Sequence, residues 1–194
     1  MIRIGITGGI GSGKSRVASY WAARFELPLI NLDHICRELL EQDQPGWQTL
    51  VERFGDSFFH ADGSLDRPAL RKALFGQPTL RREVDRLLHP LARERMHDRV
   101  GQADGKVVLI EIPLLFEAGW ERDVDRIVLV FAHNTARITR LVDRDAISEQ
   151  DAARALAAQW DLAEKIFAAD HIIDNRGVWQ DTCLQILHLA RLYS

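Results

Sequence analysis

The chain has 194 residues and a mass of 22.1 kDa, enough for one ordinary domain with small insertions. Hydrophobic residues make up 46% and charged residues 27%, which excludes a chain disordered throughout. The net charge of -3 gives no global pull towards nucleic acid or acidic membranes.

The basic residues are 21 arginines against four lysines. That bias suits bidentate phosphate recognition and is equally what genome composition can produce. Cys36 and Cys183 make neither a disulfide framework nor a zinc spacing, so buried reduced thiols in a cytoplasmic protein are expected. The longest apolar stretches, Val107–Ile110 and Ile112–Phe116, are too short to span a bilayer. The first residues read as a strand and a glycine loop rather than as a signal peptide.

In chain order, Arg3–Thr7 sits in a β-branched-rich run starting at Ile2, which stops at Gly8-Gly9 and reads as a buried strand. Ser15–Arg24 carries Val17, Ala18, Trp21 and Ala22 at helical spacing, and Leu27–Asn31 is a second short strand. From Asp33 the pattern is helical, with Ile35, Leu39 and Leu40 on one face. Gln42–Gly46 is a connection, Trp47–Phe54 a helix ending near Gly55, and Ala61–Ser64 a turn. A helix over Pro68–Phe75 follows. Thr79–Val100 is a long helical stretch interrupted at His89-Pro90, with a basic face of Arg81, Arg82, Arg86, Arg93, Arg95 and Arg99. Lys106–Ile112 and Arg126–Ala132 are continuous apolar runs, as expected of parallel strands covered on both faces. Asn134–Trp160 is helical and charged, His171–Asp174 a last strand, and Val178–Tyr193 a closing helix.

Strands that alternate with helices around a helix-only middle block imply a doubly wound α/β core with helical insertions. The division is a core of 1–33, 101–133 and 166–194, one insertion over 34–100 and another over 134–165. Trp47, Trp120 and Trp160 are expected to be packing residues.

The strongest motif is Gly8-Gly9-Ile10-Gly11-Ser12-Gly13-Lys14-Ser15, which satisfies G-x-x-x-x-G-K-[ST] at every defined position. The glycines let the backbone turn sharply and bring its N–H groups against phosphate oxygens. The following helix presents its positive end to the same anion. Gly9 through Ser15, with Arg16 next to them, form the candidate nucleotide site; Lys14 can reach the β- and γ-phosphates, and the Ser15 hydroxyl can ligate magnesium. No Asn-Lys-x-Asp guanine signature occurs, so ATP with Mg2+ is the expected pair.

With these pieces in place, the sequence resembles the dephospho-CoA kinase family. The resemblance rests on Ile4–Ser15, Asp62–Arg67, Leu88-His89-Pro90-Leu91, Pro113-Leu114-Leu115-Phe116-Glu117, Arg140 with Arg144-Asp145, Ala158-Gln159, and Ala169–Asn175. It implies a P-loop kinase that uses ATP to phosphorylate the ribose 3′-hydroxyl of dephospho-CoA, with 34–100 as the acceptor-binding insertion and 134–165 as a lid. It implies no nucleic-acid or membrane partner and leaves the oligomeric state open. The alternatives are another P-loop small-molecule kinase, such as a nucleoside monophosphate kinase, or an ATP-binding regulatory switch.

Asp33 is the residue that the resemblance makes the catalytic base; its alternative is an N-cap for a helix beginning near His34. The family's usual Asp-Ala-Asp is here Asn31-Leu32-Asp33, and restoring the first acid by Asn31→Asp is expected to be tolerated. Arg137, Arg140 and Arg144 share one helical face, either solvated or aimed at the transferring phosphoryl group. The resemblance favours Arg140 and Arg144 over Arg137. It places His89, Arg67, Pro113 and Leu114 towards the acceptor and gives Asn175 backbone contacts to adenine, where a plain turn is the alternative. Glu111, near the end of an apolar strand, occupies the place of a Walker B acid and could hold magnesium through water, although the resemblance does not require an acid there.

Overall fold

The structure, a computed structural model, describes residues 1–193 apart from the side chain of Phe75. Five short parallel strands form one sheet: β1 (Ile2–Thr7), β2 (Leu29–Asn31), β3 (Val107–Glu111), β4 (Arg126–Phe131) and β5 (His171–Asp174). Their order across the sheet is β2-β3-β1-β4-β5. β3 is buried at every position, as its unbroken apolar sequence requires for a strand covered on both faces. The register pairs Asn31 with Glu111, and Ile6 with Glu111, so three strands finish together at the carboxyl edge.

α1 (Lys14–Phe25) and α9 (Trp179–Tyr193) cover the sheet with Val17, Ala18 and Trp21 from the one and Ile186, Leu189 and Ala190 from the other. Trp21 is fully buried at the centre of this cluster. Truncating a residue of that size in a core costs about 3–5 kcal/mol.

The chain divides into two compact units, one of Met1–Asn31 with the chain from Ala103 on, the other Leu32–Gln102. The second is mainly helical: α2 (Leu32–Leu39), α3 (Pro45–Phe54), α4 (Arg67–Gly76) and α5 (Pro78–Gln102), with a 3-10 turn at Gly55–Phe58 and an antiparallel bridge between Phe59 and Leu65. Its core gathers Leu50, Leu70 and Val84. The Asp66 carboxylate caps α4 by accepting from the Ala69 amide at 2.9 Å.

α5 corrects the expected interruption at His89-Pro90, since the helix runs unbroken for 25 residues with Pro90 inside it. One backbone hydrogen bond is lost there. Val84, Ala92 and Met96, all buried, anchor the helix on both sides of the proline.

The first unit continues after β4 with α6 (Asn134–Asp145), α7 (Glu149–Ala157) and α8 (Leu162–Ala168). The expected single helical stretch over Asn134–Trp160 is therefore two helices. Ala146, in the left-handed region at φ 52°, ends α6, and the Ser148 hydroxyl caps α7. α8 is too short to show a clear apolar period in the sequence. Two expectations on side chains also change. Trp160 is half exposed rather than packed, and both cysteines are only partly buried. Burial, together with the charges of Asp33 and Asp85, pushes the Cys36 thiol up to about 11, so it stays protonated at neutral pH.

Candidate active site

The phosphate loop spans from the end of β1 to the first turn of α1, at the carboxyl edge of the sheet where open α/β sheets take ligands. Two of its glycines are required by the backbone. Gly11, at φ 77°, has the Arg137 carbonyl 2.8 Å from where a Cβ would stand. Gly13, at φ 91°, would drive a Cβ into the side-chain amide of Asn175. Neither position accepts another residue without rebuilding the loop.

The loop's carbonyls are tied back by cations and amides from other elements. Arg140 on α6 donates to the carbonyls of Gly11 and Ser12 at 3.2 Å each, and to that of Asn175 at 3.1 Å. Arg137, one turn earlier, is 4% exposed and donates from Nε to the Ile10 carbonyl at 2.8 Å and from Nη1 to Asn134 Oδ1 at 2.9 Å. Its burial lowers its pKa against the opposing charge of Asp161, and a guanidinium remains cationic even so. Asn175, also buried, donates from Nδ2 to the Ser12 carbonyl at 2.8 Å and accepts from Thr182. Gln159, between α7 and α8, accepts the Ile10 N–H at 2.8 Å. Holding the carbonyls this way fixes the loop before any ligand arrives, the condition for electrostatic preorganisation.

At the end of β3, Glu111 is 1% exposed. Ser15 Oγ donates to its Oε1 at 2.5 Å, Asn31 Nδ2 donates to its Oε2 at 2.6 Å, and Lys14 Nζ lies 4.0 Å from Oε1. A hydroxyl and a carboxylate beside a phosphate cradle are the oxygen donors Mg2+ takes while keeping several waters. Among the described residues no cluster of three or more His, Cys, Asp or Glu could hold a metal ion. The Ser12 hydroxyl is buried in the loop without a hydrogen-bond partner, a polar atom that suits a phosphate ligand.

A family model described as dephospho-CoA kinase matches residues 2–181. The chain belongs to the dephospho-CoA kinase family. A dephospho-CoA kinase of Synechococcus sp. (strain CC9605) is 38% identical over 193 residues, covering 97% of this chain and 93% of that one. Another from Vibrio parahaemolyticus is 34% identical over 190 residues, covering 98% and 93%. Among solved structures, TT1252 from Thermus thermophilus superposes with a TM-score of 0.86 at 30% identity, covering 100% of this chain and 98% of that one. The parallel α/β sheet with its phosphate loop is thus the P-loop kinase fold that the sequence pattern implied.

Within this family member, the expected site residues fall in three groups. Gly9 to Ser15 form the loop itself, and Arg140 and Asn175 bind its backbone. Arg16 is exposed and stacks its guanidinium 3.8 Å above the Trp179 ring, off the loop. Arg144 is exposed and forms a double contact with Asp145 at 2.7 Å, which raises its pKa. Pro113 offers its carbonyl to Thr7 Oγ1 at 3.5 Å, and Leu114 is half-buried in the turn after β3.

Asp33, Arg67 and His89 belong to the helical unit. α2 begins at Leu32, so Asp33 is not the N-cap considered from sequence but an exposed acid inside the first turn, where the helix dipole favours it. Arg67 donates to the Arg37 carbonyl at 3.0 Å, and His89 lies 3.9 Å from Asp85.

The sequence ranked Arg137 below its two neighbours, and the structure seats it against the loop. The signal was there in the three-residue spacing from Arg140. Gln159 carried no signal beyond the family motif, because its contact spans 149 residues.

Proposed function

We propose that this chain transfers the γ-phosphoryl group of ATP to the ribose 3′-hydroxyl of dephospho-CoA, giving CoA and ADP. The observation that carries the reading is a preformed phosphate loop, braced by Arg137, Arg140 and Asn175, in a chain whose family match runs almost end to end. The acceptor oxygen bonds to the γ-phosphorus as the bond to the β,γ-bridging oxygen breaks, and the hydroxyl proton passes to the Asp33 carboxylate. Asp33 lies in the first turn of α2, the helix that directly follows β2 in the chain. It orients the hydroxyl as much as it takes the proton, since phosphoryl transfer is mainly positioning and charge stabilisation.

Lys14 and Arg140 stabilise charge on the transferring phosphate, with Arg144 joining them when its pair with Asp145 opens. Ser15 and Glu111 would hold Mg2+, which would offset negative charge on the nucleotide phosphates. The helical segment 34–100 receives the acceptor, with Arg67, His89, Pro113 and Leu114 as its contacts, and 134–165 acts as the lid. Among the described residues no helix is long and apolar enough to cross a membrane.

A coupled ADP-release assay over a panel of acceptors tests the reading. Turnover that depends on dephospho-CoA is expected. Turnover with a nucleoside monophosphate instead, or none with any acceptor, overturns it.

A further inference from the structure

We infer that Asn31 is a positioning residue for magnesium: its side-chain amide fixes the direction of the Glu111 carboxylate at the metal end of the phosphate loop. The inference rests on the kinase reading above. Asn31 closes β2 and Glu111 closes β3, directly opposite one another in the parallel register. The Glu111 side chain is almost wholly buried, so each of its oxygens needs a donor. They have different ones. Ser15 Oγ serves Oε1 at 2.5 Å, and Asn31 Nδ2 serves Oε2 at 2.6 Å. The nearby cation, Lys14, is 4.0 Å away and on the Oε1 side.

The last torsion of a glutamate is soft, so the carboxylate plane is set by its hydrogen bonds rather than by its rotamer. Asn31 holds one end of that plane and leaves the other facing Ser15, the hydroxyl placed to ligate the metal. Magnesium requires near-ideal octahedral geometry and releases water reluctantly, so a carboxylate that meets it through water must be aimed correctly. The requirement at position 31 is a donor, not merely a polar group of this size. Asparagine supplies one, whereas an ionised aspartate only accepts. Asn31→Asp would set carboxylate oxygen against carboxylate oxygen, which revises the expectation from sequence that this change is harmless.

The experiment is an ATP-binding titration without acceptor, in EDTA and across a magnesium series, with thermal melts of each sample. It compares wild type, Asn31→Ala and Asn31→Asp. Asn31→Ala is expected to keep metal-free ATP affinity within about twofold. It should also raise the half-saturating Mg2+ concentration about tenfold, the lower end of what loss of a ligand-orienting partner costs. Asn31→Asp is expected to melt lower than wild type without metal and to gain more from Mg2+ with ATP than wild type does. If that variant does not fold in EDTA, Asn31→Ala decides alone.

Equal magnesium dependence in wild type and Asn31→Ala overturns the inference. So does a loss of ATP affinity that is the same with and without metal, since that marks a purely structural pair. Both outcomes leave the kinase reading standing. A wild-type chain that binds no ATP overturns the kinase reading and this inference together.

Discussion

The phosphate loop and the helical unit Leu32–Gln102 use their charged residues in opposite ways. Around the loop, Arg137 and Arg140 are tied to backbone carbonyls of the loop itself, and Glu111 is held at both oxygens. In the helical unit, charged side chains engage neighbours within that unit. Arg99 pairs with Glu38 and holds its carboxyl below the usual range, Arg67 reaches the Arg37 carbonyl, and His89 lies near Asp85. The first arrangement is a site built before its ligand comes. The second is a set of exposed or half-exposed groups that pair with one another within their own unit.

The largest expected effect lies on the built side. Lys14→Ala should fold normally, because Lys14 lies outside the apolar core, and lose turnover by two orders of magnitude or more, about 3 kcal/mol of charge stabilisation. Steady-state kinetics beside a thermal melt check it. Wild-type turnover would break the contrast at its strongest point.

Asp33→Asn follows, with a fall of about 10²- to 10⁴-fold in kcat and unchanged ATP binding. Because Asp33 lies inside the first turn of α2 and does not cap it, a large rate loss cannot be traced to a lost cap. Near-normal turnover would leave the base unassigned.

The third concerns a buried ion pair made by Lys165 of α8. Lys165 is fully buried and pairs with Glu117 Oε1 at 2.5 Å, and the same oxygen accepts the Trp160 amide at 3.2 Å. Lys165→Met should cost about 3–5 kcal/mol in chemical denaturation, since it leaves the Glu117 charge uncompensated, and Lys165→Met with Glu117→Leu should recover most of it. Additive losses in the double variant would contradict a specific pair.

Arg140→Met should lower kcat and raise the ATP KM, about 10- to 100-fold in kcat/KM, as expected when three carbonyl contacts to a cation are lost. Arg144→Met should leave ATP binding in the absence of acceptor unchanged, because its partner in this structure is Asp145. Nucleotide titrations of the two variants side by side sharpen the division between arginines that brace the loop and arginines that do not.

The smallest effect is far from the site. Arg3 donates to Asp125 at 2.7 Å and holds its carboxyl below the usual value. A depressed folded pKa means that the contribution is present at neutral pH and is lost as pH falls through that pKa. Asp125→Asn should therefore cost no more than about 1 kcal/mol at pH 7, with the gap to wild type closing in acid melts.

How much of this was legible in the sequence depended on locality. The loop was readable because its chemistry is contiguous: eight residues specify the turn, the lysine and the hydroxyl, and the strand and helix on either side follow from apolar spacing. The continuous runs of β3 and β4 gave a parallel sheet for the same reason. What was not readable crosses long separations. Gln159 reaches Ile10, Asn31 reaches Glu111, and Lys165 reaches Glu117 across 149, 80 and 48 residues. No periodicity encodes such pairs. The unbroken α5 was missed because proline's local cost is visible in sequence while the packing that offsets it is not.

The central claim is that the preformed loop serves phosphoryl transfer to one hydroxyl of one acceptor. The most direct test is to incubate the chain with ATP, Mg2+ and dephospho-CoA and to locate the new phosphate in the product by phosphorus NMR. The account predicts a monoester on the ribose 3′-oxygen, formed in step with ADP. Phosphate on any other position, or ADP formed without a phosphorylated acceptor, would contradict it.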